Sequence, residues 1–191
     1  MIPNLALPIL LAFSFAAEHA RSPSAGIAPP PEGGSIALST SAFCFRTPSC
    51  PCGNGTNSSG FGCLNSYLPV HLHGGHLSAS GTASVSADTL TLTGDSMPPS
   101  EMAIYYQATS ALNGGLGLPF SDGLRCIGGS AIRLGTKFNV SVGASSYGAL
   151  PGDVPISVRG QIPLSGGTFY NQVWYRDSNG ARRRPSTSRT R

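Results

Sequence analysis

The chain's 191 residues suffice for one domain and hardly for two. Its formal charge of +4 belongs to the tail: residues 178–191 carry five arginines, while residues 36–177 balance six positive groups against six negative ones. A neutral body has no field to draw in phosphate, which excludes nucleic acid as its partner.

In chain order, residues 1–20 read as a secretory signal peptide. Leu5 to Ala17 is uncharged and apolar, and Phe15-Ala16-Ala17-Glu18-His19-Ala20 puts small residues at the −3 and −1 positions of a cut after Ala20. The n-region has no Lys or Arg. The competing reading is an uncleaved anchor, but the apolar core falls short of the roughly 20 residues a span needs, so no stable membrane span is expected. Residues 21–42 form a Pro/Gly-rich linker that ends in an entry strand over Ser35 to Phe45.

Residues 43–66 hold four of the five cysteines, Cys44, Cys50, Cys52 and Cys63, among Pro, Gly, Asn and Ser. Such residues favour turns and break ladders, so disulfides are expected to hold this knot. Four cysteines allow three connectivities, and sequence alone does not select one. The pairing taken as the working expectation is Cys44–Cys52 with Cys50–Cys63. A zinc knuckle is the rival, weakened because structural zinc prefers C-x2-4-C pairs. The fifth cysteine, Cys126, is expected to be unpaired.

Residues 67–177 show short alternating runs with breakers every eight to twelve residues. Strands are expected over His76 to Val85, Thr89 to Gly94, Met102 to Ala108, Leu124 to Ile127, Ser130 to Leu134, Phe138 to Val142, Val154 to Ile162 and Thr168 to Arg176. Asn113 to Gly123 reads as a glycine-laden loop. No stretch has a helical period with caps. The fold class is therefore all-β: an antiparallel sandwich or jelly roll, preceded by a disulfide-stapled loop segment. In the last run Phe169, Val173 and Tyr175 read as core. Tyr170, Gln172, Trp174 and Arg176 are expected either to face solvent or to lie under the knot.

Chemistry is sparse. His71-x-His73-x-x-His76 is the one ligand-like cluster. His71 and His73 would share a strand face, and His76 beyond Gly74-Gly75 could complete a Zn or Cu site. Against it, no carboxylate lies near in sequence to orient the rings, and incidental histidines on a turn are the commoner case. Tyr170 and Trp174, four apart on one strand face, form a ligand platform if exposed and ordinary packing if buried. There is no G-x-S-x-G and no cofactor motif. Asp88, Asp95, Glu101 and Asp122 are scattered and read as turn or loop residues. The chain is thus expected to be non-catalytic and to need no cofactor.

The order of motifs resembles a secreted module that recurs in planctomycete-type bacteria. The residues are C-x5-CPCGN from Cys44, G-x-GC-x-NS ending at Ser66, L-x-ASGTASVSADTL from Leu77, LTG-x-x-MP-x-S ending at Ser100, and YYQ at Tyr105. They continue through NGGLG, DGLRC and IRLG to QVWYRD, which ends at Asp177. The resemblance identifies an exported module but no chemistry; the first functional reading is a non-catalytic cell-surface or extracellular interaction module for a glycan or protein. The second reading is an accessory module of a secreted hydrolase system; an enzyme or metal carrier built on the His cluster is the third. Family copies carry an acidic turn after the first cysteine. Arg46-Thr47-Pro48 stands here instead, so no cation is expected there. They also continue past WYRD with another cysteine and a closing strand. Here residues 178–191 are instead expected to form a basic, disordered tail. The comparison implies a shifted reading frame near residue 180, with Cys126 bereft of its partner, an open sheet edge, and aggregation or a Cys126-linked dimer. The alternative is a basic arm for anionic surfaces.

Overall fold

A computed structural model describes residues 5–16 as backbone and residues 41–44, 50–55, 59–67 and 73–178 with their side chains. The strands are β1 (Leu5–Ala16), β2 (Ser41–Phe43), β3 (His76–Ser80), β4 (Thr91–Asp95), β5 (Met102–Ala108), β6 (Ser110–Ala111), β7 (Leu118–Phe120), β8 (Gly123–Arg125), β9 (Ile127–Gly128), β10 (Ile132–Phe138), β11 (Ser145–Gly148) and β12 (Gly166–Arg176). One short helix, α1 (Ile156–Arg159), precedes β12. The protein is all-β and antiparallel. One sheet runs β10-β5-β12-β1-β2 and a second runs β11-β4-β3.

Alternation explains the two-layer core. On β5, Ala103 and Tyr105 are buried while Ile104 and Tyr106 are half-buried; on β12, Val173 and Tyr175 point inward. They meet Leu77 of β3, Leu92 of β4 and Tyr147 of β11, with Tyr105 and Tyr147 stacked at 6.1 Å. Period two puts every second side chain into the gap between the sheets.

Two tyrosine hydroxyls are tied down inside this gap. Tyr105 Oη accepts from Gly94 N–H at 3.1 Å and donates to Ser145 O at 2.5 Å. Tyr175 Oη accepts from Asn65 Nδ2 at 3.0 Å and from Gly75 N–H at 3.2 Å. Burial pushes the Tyr105 phenol from its ordinary value up to about 12, and it pushes Tyr175 up as well. A proton held more tightly in the folded state stabilises the fold below the unfolded value, and that stabilisation is lost as pH rises through the folded value. We therefore expect stability to fall between about pH 10 and pH 12, by about 3 kcal/mol for Tyr105 alone. Absorbance at 295 nm should show Tyr105 ionising together with unfolding. Ionisation of that residue in a protein still folded by circular dichroism would refute the assignment.

Three expectations need correction. Val154 to Ile162 is not a strand: Pro155 and Gly160 bracket a single turn of helix, and the Asp88 carboxylate accepts the Ser157 N–H at 2.6 Å. The Phe138 to Val142 run is no separate strand; β10 extends through Phe138 and then turns. Third, Cys126 is disulfide-bonded to Cys44 across 82 positions, while Cys50 bonds Cys63. The Cys44–Cys52 pairing, an unpaired Cys126 and a Cys126-linked dimer therefore fall. The cysteine outside both disulfides is Cys52, whose thiol reaches Asp122 Oδ1 at 3.3 Å. Strand β1 lies within the stretch that reads as a leader. It pairs along β12 from Leu5↔Arg176 to Ala16↔Gly166 and takes the place expected to be an open edge. The tail from 179, like residues 17–40, lies outside the described residues.

The knot caps one end of the sandwich. Asn54 Nδ2 donates to Leu64 O and to Asp122 O, both at 3.0 Å, joining the Cys50–Cys63 loop to the β7–β8 hairpin. Ser66 N–H donates to Asp177 Oδ2 at 2.7 Å, and its hydroxyl donates to Oδ1. Gly117 lies against the Cys44–Cys126 sulfurs with φ +74, where a side chain would meet Cys44 Sγ at 2.7 Å.

Candidate binding surface

The outer face of β12 was expected either to be wet or to lie under the knot; instead Tyr170, Trp174 and Arg176 are half-buried, and Gln172 lies under a different segment. Gln172 is fully buried beneath the Cys126 segment. Its Oε1 accepts from Cys126 N–H and Ile127 N–H, both at 3.3 Å, and its Nε2 donates to Leu124 O at 3.1 Å. One amide thus satisfies three backbone groups that break out of regular pairing between β8 and β9.

On either side of Gln172 stand the two platform residues, and they have different neighbours. Tyr170 meets Phe43 edge-on at 5.4 Å. Trp174 stacks under Phe120 of β7 at 5.0 Å and leans on Tyr106 of β5 at 4.6 Å. The Arg133 guanidinium sits 5.7 Å over the Tyr106 ring and donates to its hydroxyl at 3.2 Å. The two-residue open platform is therefore not what the fold builds. It builds a row, Arg133–Tyr106–Trp174–Phe120, drawn from β10, β5, β12 and β7. Phe120 is 41% exposed and Leu118 beside it 49%. Ring edges and faces at these separations attract through their quadrupoles, and a guanidinium over tyrosine adds to that. The Trp174 indole N–H is buried and has no acceptor among the described residues.

The sequence pointed to Trp174 but not to its companions. Phe120 lies in what reads as a glycine loop, and only the β7–β8 pairing, Phe120↔Gly123, brings it back over β12. Tyr106 and Arg133 meet because β5 and β10 pair them in register.

Two of the three histidines of the expected cluster are described. His71 lies outside the described residues. His73 and His76 both pack on the Phe61 ring, at 3.8 and 5.2 Å between centroids. His73 Nδ1 lies 3.2 Å from Gly74 O, and His76 Nδ1 lies 3.0 Å from Asp95 Oδ2. The missing carboxylate is thus supplied across the β3–β4 ladder, where His76 pairs with Asp95. Burial pushes the Asp95 carboxyl up, but hydrogen bonds with His76 and Ser96 outweigh it and hold it below its ordinary value. Among the described residues no three His, Cys, Asp or Glu side chains gather as a metal site. The Phe61 ring is the common neighbour of these two imidazoles.

Comparison with family models, with curated proteins and with solved structures finds no match to this chain. Among the described residues no helix is long and apolar enough to cross a membrane.

Proposed function

We propose that this chain is an exported, non-catalytic β-module that binds an extracellular glycan through the row Arg133–Tyr106–Trp174–Phe120. The observation that carries the reading is that row: stacked aromatic rings, one end cationic and the other end open to solvent. Aromatic faces take the C–H faces of sugars, and a guanidinium at the margin takes their hydroxyls or acids. Two disulfides support an oxidising compartment. The leader-like N-terminus and the resemblance to a secreted bacterial module support the same address.

A glycan array probed with the full chain tests this. Binding to a restricted set of glycans is expected, and Phe120→Ala should weaken it about tenfold or more, since loss of one stacked aromatic is worth a kcal/mol or so beyond its area. Phe120 lies outside the core between the sheets, so the variant should remain folded by circular dichroism. No glycan binding, or binding indifferent to Phe120→Ala, would refute the proposal.

A further inference from the structure

Strand β1 meets two demands that conflict. Its sequence, LALPILLAFSFA, is the apolar core of a segment that reads as cut after Ala20. Its place is between β12 and β2, in the middle of the larger sheet's outer half. It also lies near β3 of the second sheet and near β8. A strand covered on both faces reads as a continuous apolar run rather than an alternating one, so the same twelve residues satisfy either role.

The fit of β1 to its place is incomplete at one position. Asn171 of β12 is fully buried, and neither its Nδ2 nor its Oδ1 has a hydrogen-bond partner. Its partner in β1 is Leu11 and its partner in β5 is Gln107, whose own Oε1 is also buried and unsatisfied. Leucine has no group to offer an amide. Three orphaned amide atoms at the centre of a strand interface are costly, of the order of 1–3 kcal/mol each. The register of β1 also breaks between Ala6 and Ile9, around Pro8, which cannot donate to a ladder.

We propose that the edge of β12 is a strand-acceptor site. Once the N-terminal segment is removed, it takes an apolar strand from a partner chain, antiparallel and in the register of β1, with a hydrogen-bonding side chain opposite Asn171. Main-chain bonds along β12 would supply affinity, and the buried amide pair would supply selectivity. The proposal rests on the export reading only for the natural cut, so its test makes that cut artificially.

A site for a specific protease is placed between Ala20 and Arg21 of the full chain. The folded protein is purified, cleaved, and offered three fluorescent peptides with a solubilising tag. One has the sequence of β1, one carries Leu11→Asn, and one carries proline at both Leu10 and Leu11, which removes whichever of the two N–H groups faces β12. The cleaved protein should exchange its own fragment for the first peptide, bind the Leu11→Asn peptide about tenfold tighter, and ignore the proline peptide. The uncut protein should bind none. If cleavage unfolds the body, the first two peptides should restore its near-ultraviolet circular dichroism. The proposal is overturned by a fragment that cannot be exchanged, by a body that no peptide restores, by equal binding of the proline peptide, or by no preference for asparagine. The export reading fails separately, if protein secreted from a host still carries residues 1–20.

Discussion

Replacing Cys44 and Cys126 together by alanine should lower the unfolding free energy by about 4–5 kcal/mol. The bond closes a loop of 82 positions, and releasing it returns that much chain entropy to the unfolded state. The corresponding loss for Cys50 and Cys63, which close only 13 positions, is about 3 kcal/mol. Since small domains have stabilities of only ~5–15 kcal/mol, the first change takes a large part of the total. The site adds to the effect. Cys126 is fully buried, and its neighbours depend on Gln172 for their backbone hydrogen bonds. Urea unfolding of the two double variants under non-reducing conditions checks this. A larger loss for the Cys50/Cys63 pair would contradict the loop-length argument.

Leu92→Ala should cost about 2–5 kcal/mol, the second-largest effect. Leu92 is fully buried on β4, the middle strand of its sheet, with Ala79 of β3 and Tyr147 of β11 as its ladder partners. Paired strands on both sides limit collapse around the vacated volume, which keeps the cavity cost high. Leu164→Ala, at a residue 84% exposed, should change stability by no more than about 0.5 kcal/mol. Chemical denaturation of both variants separates the cases. A Leu92 variant as stable as the Leu164 variant would mean that the space between the sheets is not packed around β4.

Strands with clean alternation were legible in the sequence. Met102 to Ala108 and Thr168 to Arg176 read correctly because half their side chains meet a core and half do not. Ser145 to Gly148 was missed; its run is too short for a period to show. Val154 to Ile162 misled because its apolar residues are not all inside: Ile156 is buried while Val158 is exposed, as a turn of helix requires. The disulfides were half legible. Cys50–Cys63 is local, but Cys44–Cys126 depends on the β7–β9 segment folding back over β12, a tertiary event with no local trace. The apolar stretch at the N-terminus is ambiguous in principle, since an export leader and a doubly covered strand call for the same residues. The aromatic row was legible only at Trp174, because its other members come from three separate strands.

The long disulfide also bears on the order in which the protein can mature. Cys44, Cys50, Cys52 and Cys63 are all synthesised well before Cys126. The thiols that first meet are therefore close neighbours in the chain, and any bond Cys44 makes among them is the wrong one. Where Cys44 has paired early, the native bond arises by thiolate attack on that earlier bond, which takes seconds to hours without a catalyst. The yield of native protein then depends on how fast such early bonds are exchanged.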